Sequence, residues 1–122
     1  SRHHPGKVLL NGYDEMLLPG LAAGANGGIG STYNVLGDRY LALWKLHDAG
    51  RPQDARRVQS DCNTVIDELV RVGVFPGLKY LLWRMGVIST PLCRRPLASL
   101  ISASAGRLDE IARSLLSEES AR

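Results

Sequence analysis

The first fifty residues alternate strand-like and helix-like segments, and this order limits the folds that are open to the chain. The apolar run KVLLNG predicts a strand over Lys7–Gly12, and EMLLPGLAAGA predicts a short helix after it. The stretch GGIGST predicts a second strand over Gly28–Thr32, and LGDRYLALWKLHDAG predicts a helix that stops at Gly50. This order is typical of parallel βα units, whose strands join one sheet.

Beyond Gly50 the pattern predicts helices only. Pro52 suits the first turn of a helix, where its missing N–H is not needed. Apolar residues then recur at helical intervals, at Ala55, Val58, Cys62, Val65, Ile66, Leu69 and Val70. Two further amphipathic segments follow, separated by the loop STPLCRRP, whose prolines block a helix. We therefore divide the chain into two βα units, residues 1–50, and a helical extension, residues 51–122.

Two parallel strands are too few for a stable sheet. Parallel sheets are normally covered on both faces and need several strands to bury their apolar sides. The sequence therefore predicts one part of a larger assembly, whose other strands lie N-terminal to Ser1 or on another chain.

Composition and charge argue against two classes of partner. Fifteen Lys and Arg against twelve Asp and Glu leave a net charge of +3, and only 6% of the residues are aromatic. The basic residues are scattered and no stacking platform for bases is visible, so we expect no nucleic-acid binding. No apolar run approaches the roughly 20 residues that span a bilayer, so we expect no membrane partner.

The cysteines and histidines predict neither a metal site nor a cofactor. Cys62 and Cys93 are far apart and outside any metal-ligand spacing, as expected for buried thiols of a reduced, cytoplasmic protein. His3 and His4 have no acidic or cysteine partner at ligand spacing, and His47 is expected at or near the surface of a helix.

Polar residues follow both predicted strands. Gly12, Asp14 and Glu15 come after the first strand, and Ser31 lies at the end of the second. In a parallel βα barrel these strand ends share one rim, where binding residues gather. Carboxylates accept hydrogen bonds and a serine hydroxyl both donates and accepts them, which suits a ligand with many hydroxyl groups. The alternative is that Asp14 and Glu15 cap the helix that begins there, and the pattern leaves both open.

The glycine-rich stretch GANGGIG does not match a nucleotide-binding motif. It precedes the predicted strand instead of following it, and it lacks the lysine of a phosphate-binding loop. We interpret it sterically: Gly24, Gly27 and Gly28 turn the chain tightly, and Gly30 lets a neighbour approach the strand.

Four segments carry a family resemblance. NGYDE, GANGGIGSTYN, GVFPGLKYLL and STPLCRRP resemble the C-terminal part of the sialic acid aldolases, a branch of the dihydrodipicolinate synthase-like family of pyruvate-dependent aldolases. The resemblance runs from about His4 to Pro96 and more loosely through the last helix. It implies an α/β fold, the C-terminal portion of a (β/α)8 TIM barrel, with strands seven and eight and a C-terminal helical extension. It also implies a homotetramer.

The resemblance implies a Schiff-base aldolase that reversibly cleaves N-acetylneuraminate to N-acetylmannosamine and pyruvate. The Schiff-base lysine, the proton-relay tyrosine and the Ser-Thr pair that holds pyruvate belong to earlier strands, so no catalytic residue is expected in this segment. By resemblance, Gly12, Asp14, Glu15 and Ser31 bind the hydroxylated part of the sugar. The expected partners are these three small molecules and the N-terminal half of the barrel.

Two alternatives stay open. The first is another pyruvate-dependent aldolase of the same family, acting on a different sugar acid or on an aspartate-derived aldehyde; Asp14 and Glu15 argue against it. The second is a non-catalytic half-barrel that assembles with another chain. Lys7 precedes a strand, and Lys45 and Lys79 lie on predicted helices, so none of them is assigned as the Schiff-base lysine.

Overall fold

The computed structural model describes residues 6–100 and 105–120. Within these ranges the chain forms two short strands and five α-helices. The elements in chain order are strand β1 (Leu10–Asn11), a 3-10 turn (Asp14–Met16), helix α1 (Leu17–Ala22), strand β2 (Gly27–Gly28) and helices α2 (Tyr33–Asp48), α3 (Pro52–Val72), α4 (Val74–Arg84) and α5 (Gly106–Ser120). Two compact units result, Ser1–Asn63 and Thr64–Arg122.

The two strands pair in parallel, as predicted. The register places Leu10 opposite Gly27 and Asn11 opposite Gly28. Both strands are shorter than expected, and the second is not Gly28–Thr32. The strand ends early because the backbone of Thr32 is already helical, with φ −75° and ψ −17°, and it starts α2. The parallel pair with its helices is consistent with part of a βα barrel.

The glycine-rich stretch is only partly a turn. Gly24 has a φ of +94°, a conformation that favours glycine, so its predicted turn role is confirmed. Gly27 and Gly28 instead form β2, and their assignment to a tight turn was wrong. A side chain at Gly28 would overlap the Tyr33 hydroxyl, so glycine is required there for close packing.

The helices of the first unit bury one apolar cluster. It consists of Leu17, Leu21, Val35, Leu36, Tyr40, Leu43, Ala55 and Cys62. The predicted stop at Gly50 is confirmed, since α2 ends at Asp48 and Gly50 has a φ of +68°. This cluster fixes α2 against α1 and therefore positions the loops at the strand ends.

The second unit is built on α4 and α5. Its buried residues include Leu69, Leu78, Leu81, Leu108, Ala112 and Leu115. Polar contacts also join the two helices. Asp109 Oδ1 accepts a hydrogen bond from the Tyr80 hydroxyl (2.9 Å) and forms an ion pair with Arg84 Nε (2.8 Å). Val70, predicted on the apolar face, is exposed, since it lies beside that face rather than on it.

The division after Gly50 stays a prediction. The two compact units meet between Asn63 and Thr64, inside α3. The predicted boundary is of another kind, because it divides elements of a barrel from a helical extension. Within residues 6–100 and 105–120 no helix is both long enough and apolar enough to cross a membrane.

Candidate functional site

The carboxylate of Asp14 joins the ends of the two strands. Asp14 lies in the 3-10 turn just after β1, and only 6% of its surface is exposed. Its Oδ2 atom accepts hydrogen bonds from the backbone N–H of Thr32 (3.0 Å) and from the Thr32 hydroxyl (2.5 Å). Thr32 is the N-cap of α2. The negative charge therefore lies at the positive end of that helix and satisfies an N–H that has no intrahelical partner.

The Asp14 carboxylate thus caps α2, and not the helical segment that begins at Asp14 itself. Neither the 3-10 turn nor α1 has a side-chain hydrogen bond at its N-cap. The helix that receives the Asp14 carboxylate begins 18 residues further along the chain. Both acids do lie in the first turn of the 3-10 segment, as the capping alternative expects, but the hydrogen bonds of the Asp14 carboxylate go to the start of α2.

Gly30 makes this contact possible. A Cβ atom added at Gly30 would overlap the Oδ1 atom of Asp14. The prediction that Gly30 lets a neighbour approach is confirmed, and the neighbour is the Asp14 side chain.

The other three predicted residues flank this contact. Gly12 is exposed, and a Cβ built on it would meet no atom within 4 Å. Glu15 and Ser31 are half-buried and are the chain neighbours of Asp14 and Thr32. Among the described residues, neither the Glu15 carboxylate nor the Ser31 hydroxyl has a hydrogen-bond or ion-pair partner. Both groups keep their hydrogen-bonding capacity for a ligand.

Three residues that the sequence analysis did not assign hold the backbone of the same turn. The carbonyl oxygen of Asp14 accepts hydrogen bonds from the Tyr40 hydroxyl (3.1 Å) and from Gln59 Nε2 (3.2 Å). The carbonyl oxygen of Glu15 accepts one from Asn63 Nδ2 (3.3 Å). Hydrogen bonds therefore hold the turn that carries both acids at two backbone carbonyl groups as well as at the Asp14 carboxylate.

A sequence signal for Gln59 was present. It lies four residues after Ala55 and so falls on the apolar face of α3, where it is only 7% exposed. A buried amide needs hydrogen-bond partners, and such a polar residue in an apolar stripe indicates a specific contact. The sequence did not reveal the partner, which is 45 residues away.

Tyr33 faces an apolar cavity of about 230 Å³ in the first unit. The cavity is lined by Leu17, Gly28, Tyr33, Gly37, Tyr40, Leu41 and Trp44. The Tyr33 hydroxyl oxygen is buried without a hydrogen-bond partner among the described residues. Burial, with a contribution from the Asp14 carboxylate, raises the pKa of Tyr33 to about 12. None of the predicted ligand-binding residues lines this cavity, and its apolar wall does not suit a polyhydroxylated ligand.

The histidines and cysteines named in the sequence analysis do not form a second site within the described residues. No three His, Cys, Asp or Glu side chains of those ranges are grouped as a metal site would require. His47 is half-buried on α2, whereas His3 and His4 lie outside the described residues. Cys62 is buried and Cys93 half-buried, and neither forms a disulfide.

The comparisons with known proteins decide the family. Residues 1–115 match the dihydrodipicolinate synthetase family. The chain belongs to that family.

Several proteins similar to this chain are N-acetylneuraminate lyases. The N-acetylneuraminate lyase of Enterobacter sp. (strain 638) is 51% identical over 118 residues, covering 97% of the chain and 40% of the relative. The structure of CdNal from Clostridium difficile in complex with mannosamine gives a TM-score of 0.86 at 32% identity, covering 93% of this chain and 39% of that one. The N-acetylneuraminate lyase from Fusobacterium nucleatum complexed with pyruvate gives 0.80 at 30%, covering 96% and 38%.

The chain thus spans about 40% of the length of the relatives that it matches. The family resemblance stated from the four sequence segments is confirmed. The structural likeness extends over both compact units, because it covers more than nine-tenths of the chain.

Proposed function

We propose that this chain is the C-terminal part of an N-acetylneuraminate lyase, a Schiff-base aldolase that reversibly cleaves N-acetylneuraminate to N-acetylmannosamine and pyruvate. The supporting observation is the pair of polar side chains, Glu15 and Ser31, that have no partner among the described residues and lie on either side of the buried contact between Asp14 and Thr32. The identity of 51% to a protein of that name supports the substrate.

Each predicted residue has a role in this proposal that its position supports. The Glu15 carboxylate and the Ser31 hydroxyl bind sugar hydroxyls, because both lack a protein partner among the described residues. The exposed backbone of Gly12 lets the sugar approach closely. Asp14, which is only 6% exposed, contributes to the sugar site in this proposal by holding Thr32 through Oδ2, which places Ser31 beside it. A carboxylate acceptor strengthens such hydrogen bonds relative to a neutral one.

The bond-breaking chemistry belongs to the missing part of the enzyme in this proposal. A lysine amine attacks the keto carbon and loses water to form the Schiff base, which then withdraws electrons as the carbon–carbon bond breaks. We assign that lysine, the proton-relay tyrosine and the pyruvate-binding Ser-Thr pair to the N-terminal half. Lys45 and Lys79 are exposed on α2 and α4, and Lys7 is exposed before β1, which supports this assignment.

The proposal includes the architecture of the complete enzyme. The strands β1 and β2 are strands seven and eight of a (β/α)8 barrel, residues 51–122 are its helical extension, and the complete protein is a homotetramer. The parallel pairing of the strands supports this. Exposed apolar side chains on and beside them, such as Leu10 and Ile29, supply a surface for further strands.

Activity measurements on the complete protein and on the 122-residue chain test the proposal. The complete protein should release pyruvate from N-acetylneuraminate, and borohydride should trap pyruvate on a lysine. The 122-residue chain should do neither. A pyruvyl adduct on Lys7, Lys45 or Lys79 would overturn the assignment of the lysine. Turnover of an aspartate-derived aldehyde in place of the sugar acid would favour another aldolase of the family.

A further inference from the structure

Gln59 makes three hydrogen bonds with one buried amide group. Its Oε1 atom accepts from the backbone N–H of Leu18 at 3.0 Å. Its Nε2 atom donates to the carbonyl oxygen of Asp14 at 3.2 Å and to Asn63 Oδ1 at 2.9 Å. Asn63, one turn further along α3, donates from Nδ2 to the carbonyl oxygen of Glu15 at 3.3 Å. We call Gln59 and Asn63 the amide clamp.

The amide clamp holds both ends of the turn that carries the two acids. Leu18 lies in the first turn of α1, where a backbone N–H has no intrahelical acceptor, and the side chain of the N-cap residue Met16 supplies none. Gln59 supplies that acceptor from α3. At the other end the clamp takes up the carbonyl groups of Asp14 and Glu15, which precede the regular turns of α1. The segment from Asp14 to Leu18 is therefore bonded to one face of α3.

The spacing of the clamp follows from helix geometry. Residues four apart lie on the same face of a helix, about one turn from each other. The amides of Gln59 and Asn63 can therefore bond to each other and to two successive carbonyl groups. Because the hydrogen bond between them fixes both amides, the carbonyl groups of Asp14 and Glu15 are held at a fixed height along α3.

We propose that Gln59, supported by Asn63, is a positioning residue that sets the presentation of the Glu15 carboxylate to the sugar. This inference rests on the proposed function, since it assigns Glu15 to sugar binding. Gln59 does not touch the sugar itself. It acts through the Glu15 backbone, because a shift of that turn moves the carboxylate away from the hydroxyl groups that it accepts from.

The test is a double-mutant cycle in the complete protein. Gln59→Met keeps the length of the side chain and removes all three hydrogen bonds. It should raise the KM for N-acetylneuraminate by roughly 2- to 12-fold, the equivalent of one neutral hydrogen bond. The kcat value and borohydride trapping of pyruvate should stay within about twofold. In a Glu15→Gln background the same substitution should change KM by less than twofold, because effects that pass through one group are not additive.

Two further variants keep the result interpretable. Gln53→Met makes the same chemical change on the exposed first turn of α3 and should leave KM unchanged. Asn63→Ala removes the half-buried member of the clamp alone and should give a smaller rise in KM, so the inference is tested even where Gln59→Met fails to fold. Equal effects of Gln59→Met in both backgrounds, or equal loss of kcat and pyruvate trapping, would overturn the positioning role.

Amide hydrogen exchange separates this inference from the proposed function. Exchange at Leu18 should accelerate at least tenfold in Gln59→Met, and not in Gln53→Met, whichever substrate the enzyme takes. A wild-type protein that does not cleave N-acetylneuraminate contradicts the proposed function. Unchanged exchange at Leu18 contradicts the clamp.

Discussion

The backbone of Gly30 lies so close to the Asp14 carboxylate that a Cβ on Gly30 would overlap Oδ1. The other carboxylate oxygen of Asp14 accepts both hydrogen bonds from Thr32. The two contacts tie the end of β1 to the start of α2 at a single buried side chain. A change at Gly30 therefore disturbs Asp14 and, through it, the position of Ser31.

Gly30→Ala should destabilise the complete protein. The added methyl group has no space beside Asp14, and overpacking of this kind costs about 1–3 kcal/mol of unfolding free energy. Gly37→Ala is the matched control, because Gly37 lies inside α2 with no atom within 4 Å of an added Cβ. It should stabilise the helix by about 0.5–1 kcal/mol. Urea denaturation of both variants measures the difference, and equal stabilities would show that Asp14 does not occupy this position.

Glu15→Gln should lower sugar cleavage without lowering the melting temperature. A charge-assisted hydrogen bond contributes roughly 1.5–3 kcal/mol, so kcat/KM for N-acetylneuraminate should fall about tenfold to a hundredfold. Ser31→Ala should behave in the same way but more mildly, since a neutral hydroxyl is lost. Trapping of pyruvate by borohydride should hardly change, because pyruvate does not reach these side chains in the proposed site.

Asp14→Asn should differ from Glu15→Gln by lowering both the melting temperature and sugar cleavage. The substitution removes the charge at the N-terminus of α2, where Thr32 donates twice to one oxygen. Melting temperature and cleavage are measured on the same preparations. If Glu15→Gln lowers only the melting temperature, then Glu15 has a structural role and does not bind sugar.

The stability of the first unit should fall in alkali. Burial raises the pKa of Tyr33 to about 12 from an ordinary value of 10. The folded state therefore favours the protonated phenol, and its contribution is present below pH 10 and is lost as the pH rises towards 12. Tyr33→Phe should make this loss shallower. At pH 8 the substitution should cost little, because the Tyr33 hydroxyl has no partner among the described residues.

Urea denaturation of the complete protein, as wild type and as Tyr33→Phe, at pH 8, 10 and 11.5 checks this expectation. Some alkaline loss should remain in the variant, because burial also raises the pKa of Tyr40. An identical fall in both proteins would show that Tyr33 does not titrate with folding.

The 122-residue chain should aggregate when it is produced alone. Val8, Leu10 and Ile29 are 73%, 53% and 64% exposed, and they lie in or beside the two paired strands. An apolar sheet edge without further strands favours association with other chains. Light scattering and calorimetry should show large species without a cooperative transition, and co-production with the N-terminal half should suppress them. A monodisperse monomer that melts cooperatively would contradict the half-barrel interpretation.

The sequence by itself determined the order of the elements and the family of this protein. The helix limit at Gly50 follows from local conformational preference, because a glycine with positive φ ends a helix wherever its neighbours lie. The buried face of α3 follows from a local period. Strand length did not follow, since GGIGST was interpreted as one strand while the backbone of Thr32 is already helical at the N-cap of α2.

Only the tertiary structure decided which groups meet at the candidate site. Asp14 accepts from Thr32 across 18 residues, and Gln59 reaches the Asp14 carbonyl across 45. No local periodicity encodes such pairs, because they depend on where α2 and α3 pack after burying their apolar faces. The sequence could therefore single out Asp14 and Glu15 as acids at a strand end. It could not show that one carboxylate is held inside the fold while its neighbour keeps its hydrogen-bonding capacity, because burial is a property of the packed chain.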